Sequence, residues 1–171
     1  VPEKGNAGMA EEARGLAAEY EAKCTGCAQS VVAGLMDVLG VTDDNVFRAA
    51  SGLADGVGLT GDGSCGALTG GCMMIGLLYG RERKNHQDMM AAMKSYLMCK
   101  ELHDDFIERY GSCRCYDIQK KLMGRTYDMY DPSDLQDAFS GDMLEHCSGV
   151  VGNAAHKAMT LILEERDAGI E

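Results

Sequence analysis

Residues 65–79 read Cys-Gly-Ala-Leu-Thr-Gly-Gly-Cys-Met-Met-Ile-Gly-Leu-Leu-Tyr. The run carries Leu68, Met73, Met74, Ile75, Leu77 and Leu78 and no charged residue, so it reads as the buried central helix of the fold. Gly66, Ala67, Gly70 and Gly71 would let a neighbouring backbone come close to it. Just ahead, Asp55 to Ser64 contains Gly56, Gly58, Gly61 and Gly63. Four glycines in ten residues mean an irregular loop with positive φ or tight backbone approach.

The flanking sequence is helical in the same way. Residues 10–22 place Ala13, Leu16, Ala17 and Tyr20 on one side, and 28–39 place Val31, Val32, Leu35, Met36 and Leu39 at helical spacing. Gly40 is a C-cap, and Thr42 or Asp43 caps a helix running to about Leu53. Residues 87–110, capped by Gly111, then 115–123 and 142–166 complete the series, with a loop over 128–132. Two prolines, many Ala, Leu and Met, and no strand-type alternation support this. The expected fold is all-α, a single compact domain of about six or seven helices with the glycine-rich loop before the central helix. Residues 1–9 read as a flexible N-terminal arm and 10–171 as the helical domain.

A chain of 171 residues buries a core without staples. Asp and Glu total 27 against 16 Lys and Arg, a formal charge of −11. Such a surface repels phosphate, so no nucleic-acid partner is expected, whereas a basic protein partner could be steered to it. Arg81, Arg83 and Lys84 are the one short basic cluster and read as a solvated link. No window of 18 apolar residues supports a membrane span. Val1 to Asn6 lacks the apolar core of a signal peptide. A cytoplasmic location is expected, with a periplasmic one after signal removal as the alternative.

Eight cysteines are too sparse for a stapled secreted scaffold and too many for apolar filler. Cys24 and Cys27 form C-x-x-C, a spacing shared by zinc, iron–sulfur and dithiol sites. Cys27, Cys65 and Cys115 each fall at an expected helix N-terminus, where free N–H groups and the dipole favour thiolate. Cys113 lies two residues from Cys115 and, like Cys24, is a spare ligand or a redox partner. Cys147, beside His146, joins a site only if its helix packs against the other three. Cys72 and Cys99 lie inside apolar helices and read as core. His86, His103, His146 and His156 form no zinc-hydrolase pattern, and no phosphate-binding loop motif occurs.

These residues carry a family resemblance. Cys65-Gly66-Ala67-Leu68-Thr69-Gly70 matches the CGAxxG motif of a family of redox-active cysteine proteins, whose fold unit resembles the C-terminal domain of split-Soret cytochrome c. Gly26-Cys27-Ala28-Gln29-Ser30-Val31 looks like its first motif, Ala50-Ser51-Gly52-Leu53 like the lead into CGAxxG, and Tyr110-Gly111-Ser112-Cys113-Arg114-Cys115 like its third. The resemblance covers roughly Cys24 to Glu165. It implies that the four characteristic cysteines are Cys27, Cys65, Cys115 and Cys147, and that the helical domain holds an iron–sulfur cluster. The chain departs from the relatives in lacking haem-attachment motifs and in adding Cys24 and Cys113.

The expectation is therefore an iron–sulfur redox protein, [2Fe–2S] favoured, with metal ligands Cys27, Cys65, Cys115 and Cys147 and with Cys24 and Cys113 as candidates to extend or replace them. Gly58, Gly61 and Gly63 would bring backbone N–H groups to the sulfurs. Electron transfer with a partner oxidoreductase is favoured over conversion of a substrate, and a homo-oligomer is a further option. Two rivals stand beside it. One is a thiol–disulfide oxidoreductase using Cys24/Cys27 or Cys113/Cys115; the other is a zinc-binding interaction module.

Overall fold

In the computed structural model, which describes residues 5–169, α1 (Asn6–Cys24) and α2 (Cys27–Leu39) fold back on each other across Thr25-Gly26. The register is read from two contacts. Ser30 Oγ donates to Glu21 Oε2 at 2.9 Å, and a Cβ added to Gly34 would lie 2.8 Å from Ala17 Cβ. The chain then forms α3 (Asp44–Ala49), capped by the Asp43 side chain and continued by a 3-10 turn to Leu53. The glycine loop leads to α4 (Gly66–Tyr79), followed by α5 (Met93–Tyr110), α6 (Cys115–Met123), α7 (Pro132–Ser140) and α8 (Met143–Ala168).

The fold is all-α, with eight helices and no strand among the described residues. The extra helix is α7. Its start falls in the expected loop over 128–132, yet Asp131 accepts from the Ser133 and Asp134 N–H groups while Pro132 opens the first turn, a complete helix start signal. The arm expected over 1–9 lies outside the described residues for 1–4; from Asn6 the chain is already helical. Asn6 Nδ2 donates to Asp167 Oδ2 at 2.7 Å, tying the start of α1 to the end of α8.

α1 runs antiparallel to α8. Arg14 Nη1 donates to Asn153 Oδ1 at 2.5 Å, and a Cβ on Gly152 would sit 3.1 Å from the Arg14 carbonyl. The buried stripe of α1 is Ala10, Ala13, Ala17 and Glu21, with Leu16 and Tyr20 only half-buried. Small side chains let α1 settle between α2 and α8. α4 packs on α2, α5 and α8 around Met74 and Ile75, which are fully buried with Leu102, Phe106, Met159 and Ile162. Gly70 is what lets α4 reach α2, since a Cβ there would lie 2.5 Å from the Ala28 carbonyl oxygen. No helix of the described residues is long and apolar enough to cross a membrane.

Candidate metal centre

The glycine loop contains one conformation that the sequence does not advertise. Asp55, Gly56, Val57, Gly58 and Leu59 are consecutive and all have φ between 45° and 70°. A left-handed turn costs non-glycine residues roughly 1–2 kcal/mol each, and such strain gathers where a side chain must be aimed. Here the turn aims Asp55 inward. The loop offsets the cost by zipping onto the segment before α6. Cys65 N–H donates to the Cys113 carbonyl at 2.8 Å, Cys115 N–H to Gly63 at 3.0 Å, and Tyr116 N–H to Gly61 at 2.9 Å. The Tyr116 ring covers Gly61 so closely that an added Cβ would overlap it. Arg114 pairs with Asp62 at 2.6 Å.

This zipper sets Cys65 and Cys115 side by side. Gly66 does the same for Cys27, because a Cβ at 66 would stand 2.3 Å from Cys27 Sγ. α8 supplies Cys147. All four thiols line one cavity of about 220 Å³, together with Glu21, Asp55 and Gln119 and an apolar wall that includes Ile118, Met143 and Val151. α7 covers its outer side with Leu135, Ala138 and Phe139. Cys24 is exposed at the end of α1, and Cys113 packs on the edge of the core; neither lines the cavity.

Gly58, Gly61 and Gly63 are also placed differently from the expectation. Their N–H groups are spent inside the loop, on the carbonyls of Gly52, Asp55 and Gly56. The N–H group that donates to a cavity sulfur is that of Asp55, to Cys27 Sγ at 3.4 Å, while the Ala67 and Leu68 N–H groups at the start of α4 favour the charged form of Cys65. With those three donors taken, the loop offers the cavity a side chain, Asp55, in their stead.

No Lys, Arg or His lines this cavity. Burial therefore governs its chemistry. It pushes the Cys65 thiol up to about 11 and raises Cys27, Cys115 and Cys147 as well, each further lifted by neighbouring acidic groups. The helix N-termini were expected to favour thiolate; for Cys65 the Ala67 and Leu68 N–H groups do pull downward, but desolvation is the larger effect. Without a cation in the cavity these are thiols.

Asp55 carries no signal in the sequence, being one polar residue among glycines. It is 7 % exposed. Its Oδ1 accepts from Cys115 Sγ at 2.9 Å and from Gln119 Nε2 at 2.8 Å, while Oδ2 is buried with no partner. Gln119 is fixed in turn by accepting from the Tyr127 N–H at 3.0 Å. Glu21 was legible in principle: it continues the Ala10, Ala13, Ala17 stripe into the core, where a carboxylate is rare.

Burial raises the Glu21 carboxyl to about 6, against the downward pull of Ser30. A carboxyl raised in the folded state favours folding at low pH, and this contribution is lost as pH rises through about 6. Glu21→Gln keeps the Ser30 hydrogen bond and removes the charge. The metal-free variant is expected to gain on the native chain by about 2 kcal/mol between pH 4.5 and 7.5, read by urea unfolding at the two values. Parallel pH dependences for the two proteins would show that Glu21 is not the titrating group.

Four thiols from four separate elements, two buried carboxyls and no internal cation form a donor set suited to a soft, thiophilic cationic centre. Among the described residues no three of these donors gather about a single point in the manner of a one-ion site; they are distributed around the cavity wall. Comparison with curated proteins and with solved structures gives no match. The sequence model of one family, described as "Putative redox-active protein (C_GCAxxG_C_C)", matches residues 25–161.

Proposed function

Because the chain belongs to the C_GCAxxG_C_C family of redox-active proteins, we propose that it is an electron-transfer protein whose Cys27, Cys65, Cys115 and Cys147 hold an iron–sulfur cluster. The observation that carries this reading is the meeting of these four thiols in one cavity that contains no protein cation. Thiolates are the usual ligands of such clusters. A bound cluster supplies reversible one-electron chemistry.

The chain's own residues do the rest. Cys27, Cys65, Cys115 and Cys147 bind, each from a different helix start or turn. Asp55 and Gln119 orient Cys115, and the Asp55 N–H donates to Cys27 Sγ, which tunes its electron density. The apolar wall, to which α7 adds Leu135, Ala138 and Phe139, lowers the polarity around the thiols. An acidic protein surface suits a redox partner with a basic docking face.

The test is reconstitution of the full chain with ferrous iron and sulfide in the absence of oxygen. A visible absorption that bleaches on reduction, with iron and sulfide bound in equal amounts, is expected. A colourless protein free of iron overturns the reading, and one that binds a single zinc ion replaces it with a structural metal site.

A further inference from the structure

Cys72 and Cys99 are the two cysteines that sequence patterning assigns to the core, and they stand outside the cavity. Cys72 lies on α4 and Cys99 on α5. These helices meet at Gly71, where an added Cβ would be 2.6 Å from Leu102 Cδ2. One turn from that contact Cys99 Sγ approaches the Cys72 carbonyl oxygen at 3.9 Å, so the Cys99 side chain reaches across the seam to the Cys72 backbone. Both residues are only half-buried. Two half-buried cysteines that face each other across a helix seam are open to small reagents, as enclosed filler is not.

We infer that Cys72 and Cys99 form a second redox site, a dithiol that closes to a disulfide between α4 and α5 by exchange with a low-molecular-weight disulfide. Cys99 is the attacking group: its sulfur reaches across the seam, and the neighbouring Cys72 thiol lowers it, at the expense of Cys72. The Cys99 thiolate attacks one sulfur of the small disulfide, forming a mixed disulfide and expelling one thiolate, which takes up the Cys99 proton. Cys72 then gives up its proton and attacks Cys99 Sγ, and the second small thiol leaves with that proton. Two electrons pass from the pair to the small disulfide, two protein thiols become one disulfide, and two small thiols are released. The site needs no metal and does not depend on the cavity.

The experiment treats the folded full chain with oxidised glutathione, blocks remaining thiols by alkylation and maps tryptic peptides by mass spectrometry. The expected product joins the peptide of residues 49–81 to that of 95–100, with fragment ions placing the bond on Cys72 and not on Cys65. Cys72→Ala should leave Cys99 as a stable glutathione adduct, and Cys99→Ser should lose the cross-link. Circular dichroism checks that both variants fold, and the wild-type map stands without them. A wild-type map showing Cys99 only alkylated or glutathionylated overturns the inference, as does a cross-link that survives in Cys72→Ala. Iron binding at the cavity is read separately by its absorption, so failure of either site is distinguishable from failure of the other.

Discussion

Replacing Gly70 with alanine is expected to cost about 1–3 kcal/mol of stability, the range for overpacking a tight contact. The reason lies in what the added methyl would meet. All three atoms nearest to it belong to the Ala28 backbone, the carbonyl oxygen at 2.5 Å, the Cα at 3.0 Å and the carbonyl carbon at 3.1 Å. A flexible side chain could swing away, but a helix backbone cannot, so α4 and α2 must separate. That contact also sets Cys65 against Cys27, so the cavity should loosen together with the fold. Gly76 is the control on the same helix. Nothing lies within 4 Å of its Cβ position, and Gly76→Ala should stabilise by about 0.5–1 kcal/mol through helix propensity. Thermal and urea unfolding of the two variants measure both values. Equal effects at 70 and 76 would mean that the α2–α4 approach is not the constraint described.

The second large effect is expected at Cys65. It is buried beside Cys27 and lines the cavity with Cys115 and Cys147, and a thiolate formed there would raise all three. Cys65→Ser should lower iron bound after reconstitution at least tenfold and remove the visible absorption, whereas Cys24→Ser and Cys113→Ser should keep both. Exposed Cys24 and core-edge Cys113 have no face on the cavity. Metal analysis on the three variants decides the ligand set. Loss of iron in Cys24→Ser would draw that residue into the site and require the α1–α2 break to rearrange.

Much of the scaffold was legible because its signals are local. The span of α2 and of α6, the Gly40 and Gly111 caps and the apolar run of α4 all follow from periodicity and from which residues tolerate φ > 0. α7 escaped notice because its apolar residues, Leu135, Ala138 and Phe139, are few and face a cavity wall, so the pattern is thin. The stripe of α1 was drawn through Leu16 and Tyr20 on size, while the neighbours selected alanines for close approach.

The site divides along the same line. Helix starts at Cys27 and Cys115 and the glycine loop before Cys65 are properties of the chain read in order, and they survive in the fold. What tertiary structure decided is how those groups behave. Thiols that an exposed helix N-terminus would hold as thiolates are instead held protonated, because desolvation in a shared cavity outweighs the dipole of each helix. Asp55 faces the sulfurs only because five successive residues take left-handed φ and the loop is zipped to the start of α6. Cys72 and Cys99, alike in sequence to any buried pair, become partners because Gly71 brings their helices within reach. Sequence determines which residues can cap, turn and bury; burial, neighbouring charge and the distance between helices exist only once distant segments are packed together.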